Sequence, residues 1–268
     1  MARPTLAPET LLATAIDAAR IGGEVLRRNF ASTEPLRVRD KGKNDFVTRV
    51  DGEAEEAVVS LIRSRHPSHA ILAEESAAAP GVEAEWIIDP LDGTTNYIHR
   101  YPFFATSVAV RVEGQVVAGA VYDPVRDEMF SSAKGAGSQL NGAPIRVSDC
   151  RDLSKALLVT GFPFRSLERL AQFLASFEAL IHLASGIRRD GSASLDCCYV
   201  ACGRLDGFWE CGLSAWDIAA GSLLVEEAGG TVTDFEGRRG FLQSGDIVAS
   251  TKPLHPSFLD VIQRAYHE

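Results

Sequence analysis

The chain has no long apolar run. Nothing in it approaches the roughly 20 consecutive apolar residues that a membrane-spanning helix needs, so membrane insertion is not expected. The N-terminal residues lack the basic-then-apolar pattern of an export signal. Cysteine is sparse, and the five residues Cys150, Cys197, Cys198, Cys202 and Cys211 lack the paired spacing of a zinc site. An odd cysteine count without an export signal fits free thiols in a reducing cytoplasm, the expected location. Basic residues are outnumbered, 27 Lys and Arg against 36 Asp and Glu, for a net charge of −9. That deficit argues against bulk nucleic-acid binding and against an anionic membrane surface. It does not exclude a phosphorylated substrate, because bound cations reverse the sign of the local field. Internal repeats and low-complexity segments are also missing.

What is present is a globular composition. At 268 residues, 46% hydrophobic and 24% charged, the chain can bury a sizeable core as one domain of two intimately packed halves, about 1–150 and 151–268. Leu12, Ile16, Ala19, Gly23, Leu26 and Phe30 recur at helical spacing and predict a helix over 9–30. Asp51 is read as the cap of a second helix that stops before Pro67, and the polar segment 39–44 as a mobile loop. Short strands are expected at 70–73, 86–88, 105–112, 115–122, 128–131 and 145–147, with 76–85 as a surface loop. The second half alternates strands at 156–160, 186–189, 205–210, 231–234 and 247–250 with helices at 167–184, 195–201, 217–228 and from Ser257. Asp217 is read as the N-cap of its helix, and Gly229-Gly230 as its end. Strand runs mixed with helical blocks point to layered α and β structure rather than a simple doubly wound sheet.

The most informative segment is Trp86-Ile87-Ile88-Asp89-Pro90-Leu91-Asp92-Gly93-Thr94-Thr95-Asn96. A buried strand ends in two carboxylates, and a glycine and two threonines follow. Carboxylates at a strand end suit hard divalent cations such as Mg2+. Backbone N–H groups at Gly93 to Thr95 can hold an anion, phosphate above all. Metal-assisted phosphate ester chemistry is the reading these residues suggest. The same residues also read as ordinary turns, since Asp-Pro and Asp-Gly are common turn dipeptides. Two further elements can join them: Glu74-Glu75-Ser76, otherwise a solvated strand exit, and Ser214-Ala215-Trp216-Asp217, otherwise a plain helix cap.

Together these segments closely resemble the inositol monophosphatase family of magnesium-dependent, lithium-sensitive sugar-phosphate phosphatases. The matching residues are Asn44-Asp45-Phe46-Val47-Thr48 with Asp51, Glu74-Glu75-Ser76, Trp86 through Pro102, Gly161-Phe162-Pro163, Gly191-Ser192-Ala193, Phe208-Trp209-Glu210 and Trp216-Asp217. They run in family order over nearly the whole chain. Departures are Ala73 in a slot where the family commonly has glycine, a short loop at 76–85, and Asp190, an added negative charge beside Gly191. For Asp190 a solvent-exposed pairing with Arg188 or Arg189 is the favoured reading.

The resemblance implies an α/β fold, the α-β-α-β-α sandwich shared with fructose-1,6-bisphosphatase, and a bacterial-type inositol-1-monophosphatase activity. It implies two to three Mg2+ ions. Glu74, Asp89 and the Leu91 carbonyl would hold the first, Asp89, Asp92 and Asp217 the second, and Glu74 with Asp45 a weaker third. Thr94 and Glu74 would orient or deprotonate a metal-activated water, and Gly93 and Thr94 N–H groups would hold the phosphate. Asp92, Gly191, Ser192, Ala193 and Glu210 would surround the sugar ring. His99 is expected to be structural rather than a catalytic acid, and Cys211 inert. The expected partners are a small phosphomonoester and a second copy of the chain, with no membrane or nucleic acid. Histidinol-phosphate, fructose-1,6-bisphosphate and nucleotide 3′-phosphate hydrolysis are the rival activities. A binding role in a transcription or RNA-processing complex is the non-enzymatic one.

Overall fold

The computed structural model describes residues 7–32, 38–42 and 45–267, with the backbone alone for 38–42 and 45–47. In chain order the first half holds α1 (Pro8–Phe30), β1 (Val38–Gly42), β2 (Asp45–Thr48), α2 (Arg49–Arg65), β3 (Ala70–Ala73), β4 (Glu85–Asp92), α3 (Thr94–Ile98), β5 (Ala105–Val112), β6 (Gln115–Asp123), β7 (Glu128–Ala133), β8 (Gly137–Leu140) and β9 (Ala143–Ile145). The second half holds β10 (Leu157–Thr160), α4 (Leu170–Leu183), β11 (Gly186–Arg188), α5 (Ala193–Ala201), β12 (Gly207–Glu210), α6 (Ala215–Glu227), β13 (Gly230–Thr233), α7 (Phe241–Ser244), β14 (Ile247–Thr251) and α8 (His255–His267).

Strands β3 to β9 form a seven-stranded sheet in sequence order, antiparallel except for the parallel β3–β4 pair. A second sheet has five strands in the order β11-β10-β12-β14-β13. The alternation of side chains along each strand builds the layers. Trp86 and Ile88 of β4 pack with Leu11, Ala15, Val58 and Ile62 of α1 and α2 on one face. Ile87, between them, points to the other face and joins Leu195, Ile218, Ala219 and Leu224 of α5 and α6. Phe208 of β12 closes that same middle layer from the second sheet. Its neighbour Trp209 faces outward onto Phe173 of α4 and Phe258 of α8. The order of layers is therefore helix, sheet, helix, sheet, helix, the expected α-β-α-β-α sandwich. Helix α6 is buried from Asp217 through Val225 because it lies between two sheets. Gly119 permits its close approach, since a Cβ there would lie 3.0 Å from Ala220 Cα.

Several sequence expectations change. The segment 39–44, expected as a mobile loop, contributes most of β1, which pairs antiparallel with β2. Strand β9 ends at Ile145 instead of starting there, β8 was not anticipated, and the last helix begins at His255. The N-cap of α2 is Thr48, with Asp51 at the third helical position of a capping box. Helix α6 repeats this device with Ser214 as cap and Asp217 at the third position. Cys198 is fully buried, whereas Cys202 at the end of α5 is half-buried. No helix among the described residues is long and apolar enough to cross a membrane.

Candidate active site

The site starts from the parallel pairing of β3 and β4. Parallel strands end side by side, and Ala73 pairs with Ile88. The Glu74 N–H then donates to the Ile88 carbonyl at 3.2 Å, which holds the Glu74 carboxylate beside Asp89. The pairing of β4 with β5 breaks register between Asp89 and Asp92. Pro90 has no N–H to donate there. The Leu91 N–H turns back to the Asp89 carboxylate at 2.9 Å, and Thr106 Oγ1 donates to the Pro90 carbonyl at 2.9 Å. The chain then reverses through Gly93, at φ +93°, into the short helix α3.

Three structural partners close this turn. Thr94 Oγ1 donates to the Leu91 carbonyl at 3.0 Å and lies 3.4 Å from Asp51 Oδ1. Asn96 Nδ2 donates to the carbonyls of Phe103 and Asp190, each at 2.8 Å, and so ties α3 to the chain just before Gly191. Asp92 Oδ2 accepts from the Ser192 and Ser194 hydroxyls at 2.5 Å and from the Ser194 N–H at 2.8 Å. Asp217 enters from the middle helix layer, held by the Ser214 N–H on its Oδ2 at 2.7 Å.

These elements enclose a cavity of about 270 Å³. Glu74, Asp89, Asp92, Gly93, Thr94 and Asp217 line it from one side. Gly191, Ser192, Ala193 and Glu210 line it from the other. Leu91 is buried beneath, and its carbonyl accepts from Thr94. The Asp45 side chain lies outside the described residues. His99 is exposed at the end of α3, and Cys211 is buried with its sulfur accepting from the Tyr266 hydroxyl at 3.4 Å.

Charge dominates the cavity. Burial pushes the Asp89 carboxyl well above the usual carboxylate range, and the neighbouring charges of Glu74, Asp92 and Asp217 push it further. Burial also raises Asp92, against the pull of the Ser192 and Ser194 hydrogen bonds. Glu210 is pushed up to about 8, again by burial first, with Arg189 opposing and Asp217 assisting. Carboxylates gathered this way repel one another unless a cation or protons join them. An all-oxygen donor set of this kind fits a hard divalent cation such as Mg2+. Among the described residues, no three acidic, His or Cys side chains converge as a ready metal centre.

Sequence reasoning missed two arginines on the cavity wall. Arg165 reaches Glu74 at 3.5 Å and Asp217 at 3.7 Å. Arg189 stacks over Phe162 and Phe164 at 5.1 and 5.5 Å. It missed Asp51 and Ser194 as supports of Thr94 and Asp92. The signals were present: the Thr48-x-x-Asp51 spacing of a capping box, and hydroxyls at both 192 and 194. Asp190 proves half-buried and raised by that burial, with Arg188, Arg126 and Arg189 opposing.

A profile of the inositol monophosphatase family matches residues 7–267. The chain belongs to the inositol monophosphatase family. Among relatives within it, a protein of Vibrio cholerae named Nus factor SuhB is 47% identical over 243 residues, covering 90% of this chain and 91% of its own. The Nus factor SuhB of Pasteurella multocida is 44% identical over 255 residues, covering 94% and 96%. Among solved structures, the extragenic suppressor protein suhB of Bartonella henselae superposes with a TM-score of 0.92 at 37% identity, covering 95% of this chain and 99% of its own. The inositol monophosphatase of Anabaena superposes with a TM-score of 0.84 at 40% identity, covering 96% of each chain.

Proposed function

We propose that this inositol monophosphatase family member is a Mg2+-dependent hydrolase that releases phosphate from myo-inositol monophosphate or a related polyol phosphate. The observation that carries the reading is the cluster of Asp89 with Glu74, Asp92 and Asp217, in which burial first and the neighbouring carboxylate charges second raise Asp89. Glu74, Asp89 and the Leu91 carbonyl would hold one Mg2+. Asp89, Asp92 and Asp217 would hold a second, and Glu74 with Asp45 a weaker third. Bound Mg2+ supplies a more acidic water and neutralises charge on the phosphoryl group.

The protein's own residues do the rest. Thr94, held by its bonds to the Leu91 carbonyl and Asp51, orients the attacking water together with Glu74. N–H groups of Gly93 and Thr94, at the start of α3, receive phosphate oxygens. Asp92, the Gly191–Ala193 segment and Glu210 contact the hydroxyls of the polyol. With its carboxyl near a pKa of about 8, Glu210 can donate as well as accept there. Lithium sensitivity accompanies this reading, since a monovalent ion in a Mg2+ position neutralises less charge. A homodimer accompanies it too, through the exposed side chains of Phe162, Phe164, Leu167, Leu170 and Leu174. The expected location is the cytoplasm.

A panel of phosphomonoesters assayed with Mg2+, with a chelator and with lithium tests the reading. Preference for inositol monophosphate is expected. Preference for histidinol phosphate, fructose 1,6-bisphosphate or a nucleotide 3′-phosphate would move the chain to a rival activity. Mg2+-independent turnover would overturn the mechanism. A second reading is favoured by the names of the relatives in Vibrio cholerae and Pasteurella multocida, each called a Nus factor. On that reading the chain also binds a transcription complex. Pull-down with Asp92→Asn separates the two, because a binding role survives loss of catalysis.

A further inference from the structure

Two glycines of the cavity lie against each other, both in the left-handed region. Gly93, at φ +93°, caps α3, and Gly191, at φ +90°, leads into α5. A Cβ on Gly93 would lie 3.2 Å from the Gly191 carbonyl oxygen and 3.0 Å from that of Phe103. The backbones approach this closely because neither residue has a side chain. Asn96 fastens them. Its Nδ2 donates to the carbonyls of Phe103 and Asp190, each at 2.8 Å, and lies 3.4 Å from the Gly191 carbonyl. Carbonyl oxygens only accept, so this point of the fold requires a donor. Asn96 does not itself line the cavity. A separate clasp joins the same two stretches of chain, since Ser192 and Ser194 donate to Asp92 Oδ2. Asn96 thus holds the start of the 190–194 segment, and the two serines hold its end.

We infer that Asn96 is a positioning residue that sets the spacing between the phosphate-binding turn and the polyol-binding segment, and so favours esters that engage both. The inference rests on the phosphatase reading proposed above, in which Gly93 and Thr94 receive phosphate and Gly191 to Ala193 contact the polyol. Without the Asn96 amide, the Asp190 carbonyl loses this donor and the start of the segment relaxes away from α3. Ser192 and Ser194 still hold Asp92, so the carboxylate end of the cavity keeps its geometry. An ester that reaches only the phosphate-binding turn does not sense the change. An ester that spans both ends does.

Steady-state kinetics of the full chain with Mg2+ test this on two esters, inositol monophosphate and phenyl phosphate, which has no hydroxyl for the polyol segment to contact. Hydrogen bonds of ordinary strength translate into about three- to tenfold in binding. Asn96→Ala is therefore expected to raise KM for inositol monophosphate about three- to tenfold, and to leave KM for phenyl phosphate within about twofold of wild type. Calorimetric titrations with Mg2+ and with inorganic phosphate, which do not depend on turnover, are expected to stay within about twofold as well. Asn96→Asp, which places acceptors against the carbonyls, is expected to show the same split with a larger rise. Asn96→Gln keeps the amide on a longer arm and is expected to fall between Asn96→Ala and wild type. Equal rises on both esters, or an unchanged KM for inositol monophosphate in folded Asn96→Ala and Asn96→Asp proteins, would overturn the inference. Failure of the wild type to hydrolyse either ester with Mg2+ would instead overturn the phosphatase reading beneath it.

Discussion

Ser194 donates to one oxygen of Asp92 twice, from its backbone N–H at 2.8 Å and its hydroxyl at 2.5 Å, across 102 residues of chain. Ser192 donates to the same oxygen at 2.5 Å. The carboxylate at the end of β4 is thus fixed by the start of α5, an element of the second sheet's half. Three donors on Oδ2 pull the Asp92 carboxyl toward its charged form, against the burial that raises it. They also fix the direction of Oδ1. A short turn on one half of the chain holds its carboxylate in one orientation only when the other half packs onto it.

Asp92→Asn is expected to fold and to lose about a hundredfold or more in kcat. The amide oxygen can still accept from Ser192 and Ser194, so packing survives while the ligand charge is lost. Ser194→Ala keeps the charge and removes one of the three donors, and is expected to cost about 10- to 100-fold in metal affinity or activity. Metal titration and steady-state kinetics on both variants check the order. Asp92→Asn with more than about a tenth of wild-type kcat would remove Asp92 from the metal site.

Gly161 abuts the Glu210 carboxylate. A Cβ added at Gly161 would meet the Glu210 carboxylate oxygens at 2.0 and 2.2 Å, well inside contact distance. Gly161→Ala is therefore expected to push Glu210 out of position. KM for inositol monophosphate should rise more than KM for glycerol 2-phosphate, which lacks the ring. Glu210→Gln should show the same asymmetry. Equal losses on both esters in both variants would make Glu210 a structural residue.

The carboxylates were legible in the sequence because each sits at the end of an element that the local pattern marks. Glu74 follows the apolar run 70–73, and Asp89 and Asp92 follow 86–88. Asp51 and Asp217 were misread by three residues, because in a capping box the acidic partner stands at the third helical position and Thr48 or Ser214 is the cap. Strands β1 and β8 were missed since neither shows hydrophobic alternation. Each is set by its pairing with a neighbour, β2 or β7. Arg165 and Arg189 carry no local signal at all. Arg165 reaches the cavity wall through contacts with Glu74 and Asp217, and Arg189 through stacking on Phe162 and Phe164, all of which is tertiary information.

His255 gives a pH dependence of stability with a defined sign. It is buried at the start of α8, with its ring nitrogens 3.1 Å from Thr233 Oγ1 and 3.0 Å from Ser250 Oγ. Burial lowers its pKa from 6.5 to about 4. A positive charge at a helix N-terminus is unfavourable as well. Between pH 6.5 and about 4 the unfolded chain binds this proton and the folded chain does not. Stability is therefore full above pH 6.5 and lost as pH falls through that window. After allowance for solvent screening, the loss is about 2 kcal/mol. Urea melts from pH 7 to pH 4 on wild type and His255→Gln check it. A flatter profile is expected for the variant, and parallel profiles would assign the acid sensitivity elsewhere.

The thiols are expected to be dispensable for chemistry. Cys197 and Cys198 are fully buried, and burial pushes both thiols well above their usual range. Cys211 is the one cysteine among the residues that line the cavity, but its sulfur faces the Tyr266 hydroxyl of α8. Burial raises it too, against the Tyr266 hydrogen bond and the Arg169 charge. A thiol held protonated at neutral pH is a poor nucleophile. The reaction proposed here instead uses water, oriented by Thr94 and Glu74. Replacing all five cysteines by alanine is expected to lower Tm, because Cys197 and Cys198 are fully buried and loss of each sulfur leaves unfilled space in the core. Mg2+-dependent turnover per folded, metal-loaded molecule should stay within about threefold of wild type at low temperature, a loss of less than 1 kcal/mol in transition-state stabilisation. Circular dichroism and metal titration establish the folded, loaded fraction before rates are compared. If that fraction turns over no substrate, a covalent thiol intermediate replaces the water mechanism.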